Sequence, residues 1–246
     1  MPSITTSDQP EDRYAKASDF INKAELCEDA QEADVYWKLA ISLAEDGLKN
    51  EPGKAQYNYL LGCVFHSKGV RENRIYPEVE TYLTRYLQLK PDHEFSLCLL
   101  GFHLFDRHLY QQALSFLEKV DPDYFSRIDQ EWRRLKILEL RVSCRLYLNP
   151  AAVPLSDIQN LAEEYRRFPD MALVPMPLEI VMVLEHLIAE KKPLVALDQM
   201  LQEVFNMLVA IDQATPVARH ATWVRLRLAA TKYQRIGSSG SSNQSA

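Results

Sequence analysis

Cys63 and His66 stand three residues apart, a spacing that on a helix brings a thiol and an imidazole to one side. A thiol beside a base is the beginning of an activated nucleophile. Nothing near them in the chain supplies a third group to orient the base, and the pair reads as core packing. The stretch H-L-F-D-R-H gathers His103, Asp106 and His108, all metal-ligating types. Five residues apart on a helix, its two histidines face different sides, so no metal centre is expected. Neither G-x-x-x-x-G-K-[ST] nor G-x-G-x-x-G occurs, and seven glycines in 246 residues leave no loop to cradle a phosphate. The chain is therefore read as a non-enzyme that needs no cofactor.

Charge is the next resource. Arg134, Arg141 and Arg145 are spaced by seven and four residues and share one side of a helix, opposite Trp132, Leu135, Leu138, Val142 and Leu146. The stretch from Pro216 carries Arg219, Arg225, Arg227, Lys232 and Arg235 and no acid, whereas residues 1–60 hold twelve acids against six bases. This asymmetry could steer an acidic partner, pair the chain's own ends, or be a solvated face. Glu163-Glu164 before Arg166-Arg167 reads as a solvated helix face with local pairing. The net charge of -6 argues against a general nucleic-acid binder, which gains affinity by neutralising phosphates.

The elements that position these residues read as helices throughout. Prolines and glycines punctuate helical patterns at 13–27, 32–48, 55–67, 76–89, 94–106, 110–120, 129–147, 156–168, 178–190, 193–211 and 216–235. Short connections make consecutive helices antiparallel neighbours. The amphipathic 195–211 stretch has the spacing of an ordinary core helix. No window approaches a transmembrane span, and the N-terminus has neither the basic nor the apolar region of a signal peptide. Cys27, Cys63, Cys98 and Cys144 are widely separated, which fits reduced, buried thiols and a cytoplasmic protein.

One repeat stands out. Leu60-Leu61-Gly62 and Leu99-Leu100-Gly101 each end ten residues after a proline, Pro52 and Pro91, and lie 39 residues apart. Leu61, Gly62 and Phe65, followed by Val79, Leu83, Tyr86 and Pro91, form a first unit. Leu97, Leu100, Gly101 and Leu104, followed by Ala113, Leu117 and an early Pro122, form a second. These residues resemble the tetratricopeptide repeat, whose L-G-x2-Y, A-x3-F and closing proline recur at about 34 residues. The first unit then carries about five extra residues, found in Lys68–Tyr76, which read as an insertion serving recognition or merely tolerated. Residues 15–52 end on the right proline with Ala40 at a small position, but Cys27-Glu28 replaces Leu-Gly. In this resemblance the glycine lets the second helix of a hairpin approach the first.

The resemblance implies a concave face built by the first helix of each hairpin. Its groove positions fall on Gln56, Tyr59, Cys63, His66 and Ser67, then on Phe95, Cys98, Phe102, Phe105 and Asp106. Tyr59, Cys63, Cys98 and Phe102 stand where one subfamily places the lysines and asparagines of a carboxylate clamp, so a clamp is not expected. The aromatic groove residues could instead pack against another helix of the same chain.

The expectation is an all-α fold: a right-handed solenoid of stacked antiparallel hairpins with about ten to eleven helices. The expected organisation is a disordered segment at 1–12, repeats at 13–122, degenerate repeats and a capping helix at 123–236, and a flexible tail at 237–246. The expected function is to bind a protein or peptide, as an adaptor or scaffold, through Tyr59, Cys63, His66, Phe95, Cys98, Phe102 and Phe105, with Arg134, Arg141 and Arg145 as a charge-reading patch. Alternatives are a dedicated chaperone or neutralising partner of one client, an all-α ligand-binding or enzymatic domain, and a homo-oligomeric structural protein. No membrane insertion is expected.

Overall fold

A computed structural model describes residues 10–168, 170, 173–190 and 197–214. Every regular element among them is helical: eleven α-helices and one 3-10 turn at Pro150–Ala152, with no strand. The chain divides into two compact units that part between Val120 and Asp121.

The first unit begins with α1 (Pro10–Leu26) and α2 (Ala30–Asn50). Ala17, Ile21 and Ala24 of α1 share one core with Trp37, Ala40 and Ala44 of α2, all buried at helical spacing. The small residues let the two helices close, and Trp37 fills the space that remains. Asp29 starts α2 by accepting hydrogen bonds from the Gln31 and Glu32 N–H groups, each at 2.8 Å. Two hairpins follow: α3 (Gln56–Glu72) with α4 (Glu78–Leu89), and α5 (Glu94–Asp106) with α6 (Tyr110–Leu117). Each helix packs on its sequence neighbour, and the first helices of successive pairs also touch, α1 on α3 and α3 on α5.

The two matched glycines occupy equivalent places. A Cβ on Gly62 would lie 2.3 Å from Leu83 Cδ2 of α4, and one on Gly101 would lie 2.6 Å from Leu117 Cδ2 of α6. Leu83 and Leu117 are the residues that the repeat alignment equates. The close approach expected of the glycines is therefore found, in both hairpins, against the same position.

The Lys68–Tyr76 stretch differs from the loop read in the sequence. Helix α3 runs on to Glu72, and only Asn73–Pro77 connects it to α4. Asn73 takes a left-handed conformation (φ 50°) and the Arg74 N–H donates to the Gly69 carbonyl at 2.9 Å, a Schellman closure. The extra turn is tied inward. Arg71 donates to the carbonyls of Ala24 at 2.8 Å and Glu28 at 3.2 Å, where α1 ends, and Lys68 reaches Asp34 of α2 at 2.8 Å. The extra residues clamp the first hairpin.

The second unit comprises α7 (Pro122–Ser126), α8 (Glu131–Leu148), α9 (Leu155–Arg166), α10 (Leu178–Ala189) and α11 (Leu197–Ala214). The short α7 is not evident in the sequence pattern; Asp121 caps it, accepting from the Asp123 N–H at 3.1 Å. The main packing here joins α9 to α11 and α8 to α10, alternate helices, alongside the consecutive pairs α7–α8 and α8–α9. Helix α8 is buried on more than one side, through Leu135, Ile137, Leu140, Cys144 and Leu146 among others. The expected helix at 216–235, with its five basic residues, and the tail at 237–246 lie outside the described residues, as does most of the 1–12 segment. No described helix is long and apolar enough to cross a membrane.

Candidate protein-binding site

Helices α3 and α5 each open a hairpin and bring several groove residues to one region. Tyr59 is half-buried, with its ring 5.3 Å from Tyr86 and 4.8 Å from His93; Tyr86 and His93 are 5.0 Å apart. Phe95 follows at 6.5 Å from His93. The cluster rests on how α5 begins. His93 is its N-cap, and Nδ1 accepts from the Ser96 N–H at 3.3 Å with Ser96 Oγ at 2.9 Å. An accepting Nδ1 carries no proton, so the cap requires a neutral imidazole. Burial works in the same direction and lowers the His93 pKa.

Cys63, one turn beyond Tyr59, sits among phenols. Burial raises the Tyr59 pKa, with the Cys63 thiol hydrogen-bonded beside it, and burial and Cys63 together raise those of Tyr14 and Tyr86. These weakly acidic phenols give the thiol hydrogen-bonding company. His66, Phe95 and Phe102 are half-buried like Tyr59 and Cys63. Phe95 and Phe102 stand seven residues apart on α5, on one side of the helix.

Two of the expected groove residues lie deeper. Cys98 is 0% exposed and Phe105 is 9% exposed. The Phe105 ring meets Tyr110 at 5.3 Å, across the turn to α6, so it packs inside its own hairpin. The histidines of the H-L-F-D-R-H stretch part company. His103 is buried in α5 and its Nε2 has no hydrogen-bond partner, whereas His108 is exposed just past the helix end, in a left-handed conformation. Among the described residues no group of three or more His, Cys, Asp and Glu side chains is placed to hold a metal ion.

The three arginines of α8 do come together. They line a cavity of about 260 Å³ between α8 and α9, with Leu138, Asp157 and Glu164. Acids of the same unit answer Arg134 and Arg145. Arg134 reaches Glu164 at 2.6 Å, Glu131 at 3.1 Å and Asp123 at 3.3 Å, and Arg145 reaches Asp157 at 3.3 Å. Arg134 thereby joins α7, α8 and α9 and acts as a brace.

One buried acid went unmarked in the sequence. Glu139 of α8 is fully buried. Its Oε1 accepts from the N–H groups of Glu179 at 2.9 Å and Ile180 at 3.1 Å, in the first turn of α10. Its Oε2 accepts from Tyr165 Oη of α9 and from Lys136 Nζ, both at 3.1 Å, and Lys136 also pairs with Glu179. The signal was legible: Glu139 falls in the stripe Leu135, Val142 and Leu146, an acid where the apolar face should continue.

No known family model matches the chain, and no curated protein matches it.

Proposed function

We propose that this chain is a non-enzymatic protein-interaction module, in which a tetratricopeptide-like stack of hairpins at 13–122 holds a peptide or helix of a partner. The observation that carries this reading is the repeated glycine contact. Gly62 on Leu83 and Gly101 on Leu117 are the same packing at the same place in two successive units. The touching of α3 on α5 supports it, because it sets the first helices side by side, as a binding face requires.

On this face the anchors are Tyr59, Phe95 and Phe102, with Cys63 and His66 beside them. Half-buried aromatic rings bring large apolar area at low entropic cost, and they suit an extended segment or an amphipathic helix. Cys98 and Phe105 support the face from below.

The test is affinity purification from the source organism, comparing wild type with a Phe95→Ala, Phe102→Ala variant shown by circular dichroism to be folded. Phe105 is left in place, since its loss would damage the hairpin itself. A protein recovered with wild type and lost with the folded variant is the expected result. A single stoichiometric client would favour a dedicated chaperone over a general adaptor. Equal recovery with both forms, or no partner for a well-folded wild type, would remove the proposal.

A further inference from the structure

The cleft between α8 and α9 is bounded at both ends by ion pairs. Arg134 meets Glu164 at 2.6 Å at one end, and Arg145 meets Asp157 at 3.3 Å at the other. Arg141 lies between the two arginines on α8, and Asn160 lies between the two acids on α9. The antiparallel register sets base opposite acid at each end, and at its middle step an amide stands where that register would place an acid. Leu138, Val142 and Leu161 give the middle an apolar floor. Asn160 is exposed, so the cleft reaches solvent.

Charge decides what such a cleft takes. Among the described residues its walls hold three guanidinium groups and two carboxylates. Arg134 also reaches Glu131 and Asp123, outside the cleft, and serves to hold α7, α8 and α9 together. Arg141 and Arg145 then stand against Asp157, with one positive charge in excess at that end. A single negative charge balances it, whereas a dianion such as a phosphate monoester would be pressed against Asp157. A guanidinium carries five N–H donors in a planar fork, so each of the two can hold a neighbour and still present donors to a planar anion. The apolar floor favours an anion carried on an apolar stem. A volume of about 260 Å³ is small beside pockets for drug-sized ligands and suits a group of side-chain size.

We propose that the α8–α9 cleft is a binding site for a monocarboxylate on a short apolar stem, held by Arg141 and Arg145 with the Asn160 amide beside them. This inference is independent of the reading of the first unit as a binding face. A free short-chain acid and the C-terminal apolar residue of another chain share this chemistry.

The experiment is amide NMR of the isotopically labelled full chain at constant pH, titrated with 4-methylpentanoate, with its neutral amide 4-methylpentanamide, and with inorganic phosphate. The acid should shift signals of residues 134–145 and 157–164 saturably, with a Kd on the order of 1 mM. The amide and phosphate should each bind at least about tenfold more weakly. Arg141→Gln, shown by circular dichroism to be folded, should weaken the acid by about tenfold or more. Arg134 is left in place as the brace. N-acetyl-alanyl-leucine distinguishes the two sources. Tighter binding than 4-methylpentanoate supports the site with a chain end as its ligand, and weaker binding supports it with a free acid. The absence of a saturable shift with wild type, an amide or phosphate that binds as well as the acid, or unchanged binding in the folded variant would overturn the proposal; the first two need no variant.

Discussion

At the scale of single residues, the glycines and aromatics of the first unit make distinct demands. Gly62→Ala and Gly101→Ala each drive a Cβ into a leucine that is held inside a hairpin. Each should cost about 1–3 kcal/mol in urea unfolding, the usual penalty of overpacking. Gly53 is the control: nothing lies within 4 Å of its added Cβ. Gly53→Ala should stay within about 0.5 kcal/mol, as surface changes do. A loss at Gly53 as large as at the other two would mean that the hairpins do not close on their glycines. Phe105→Ala should cost about 3 kcal/mol or more, because a buried ring is lost from between α5 and α6. Phe102→Ala, half-buried, should cost distinctly less. The repeat in the sequence disclosed the glycines, since the contact they serve is local to one hairpin. It could not separate Phe102 from Phe105, because both fit the groove pattern and only packing across the turn to Tyr110 distinguishes them.

At the scale of elements, the helical segments were legible and the connections less so. The pattern placed α5 at Glu94–Asp106, where it is found. It ended α3 early because Gly69 and the charged run after it look like a turn, whereas Arg71 and Lys68 hold that run helical by bonds to α1 and α2, far away in sequence. Three closures use a left-handed residue other than glycine, Asn73, His108 and Asp129, so the glycine signal that would mark helix ends is missing. This gives the extra turn of α3 a testable role. Arg71→Ala removes a charged donor from the last carbonyls of α1 and should cost about 1 kcal/mol. Hydrogen exchange should rise in α1 while α5 and α6 are unaffected. If α1 keeps its protection, the extra turn is not the clamp described above. The pairing of helices in the second unit was not legible either. Apolar periodicity says that α8 to α11 are buried, and it is silent on whether α8 takes α9 or α10 as its partner.

At the scale of the whole molecule, the two units carry buried titratable groups of opposite sense. In the first, burial lowers the pKa values of His93 and His103 from 6.5. Their unfolded forms accept a proton near 6.5 and their folded forms resist it, so the stability they contribute is present above that pH and is lost as the pH falls. The loss has a visible route at His93, whose Nδ1 must stay unprotonated to cap α5. In the second unit, Glu139 holds its proton up to about 7 in the folded state against 4.5 ordinarily. Its contribution is present below 4.5 and is lost as the pH rises toward 7. Between about 6.5 and 4.5 the two responses therefore oppose each other: acidification should weaken α3 to α5 and strengthen α8 to α10. Further acidification reaches carboxyls held low by their ion pairs, such as Asp34, lowered to about 2 by Lys38 and Lys68, and Asp121, lowered by Arg127. Both units should then lose stability together. Peptide-resolved hydrogen exchange at pH 7.5, 6 and 5, corrected for intrinsic rates, reads the two units separately in one sample. Protection that moves the same way in both units across that interval would show that His93 and His103, or Glu139, do not titrate as their surroundings require.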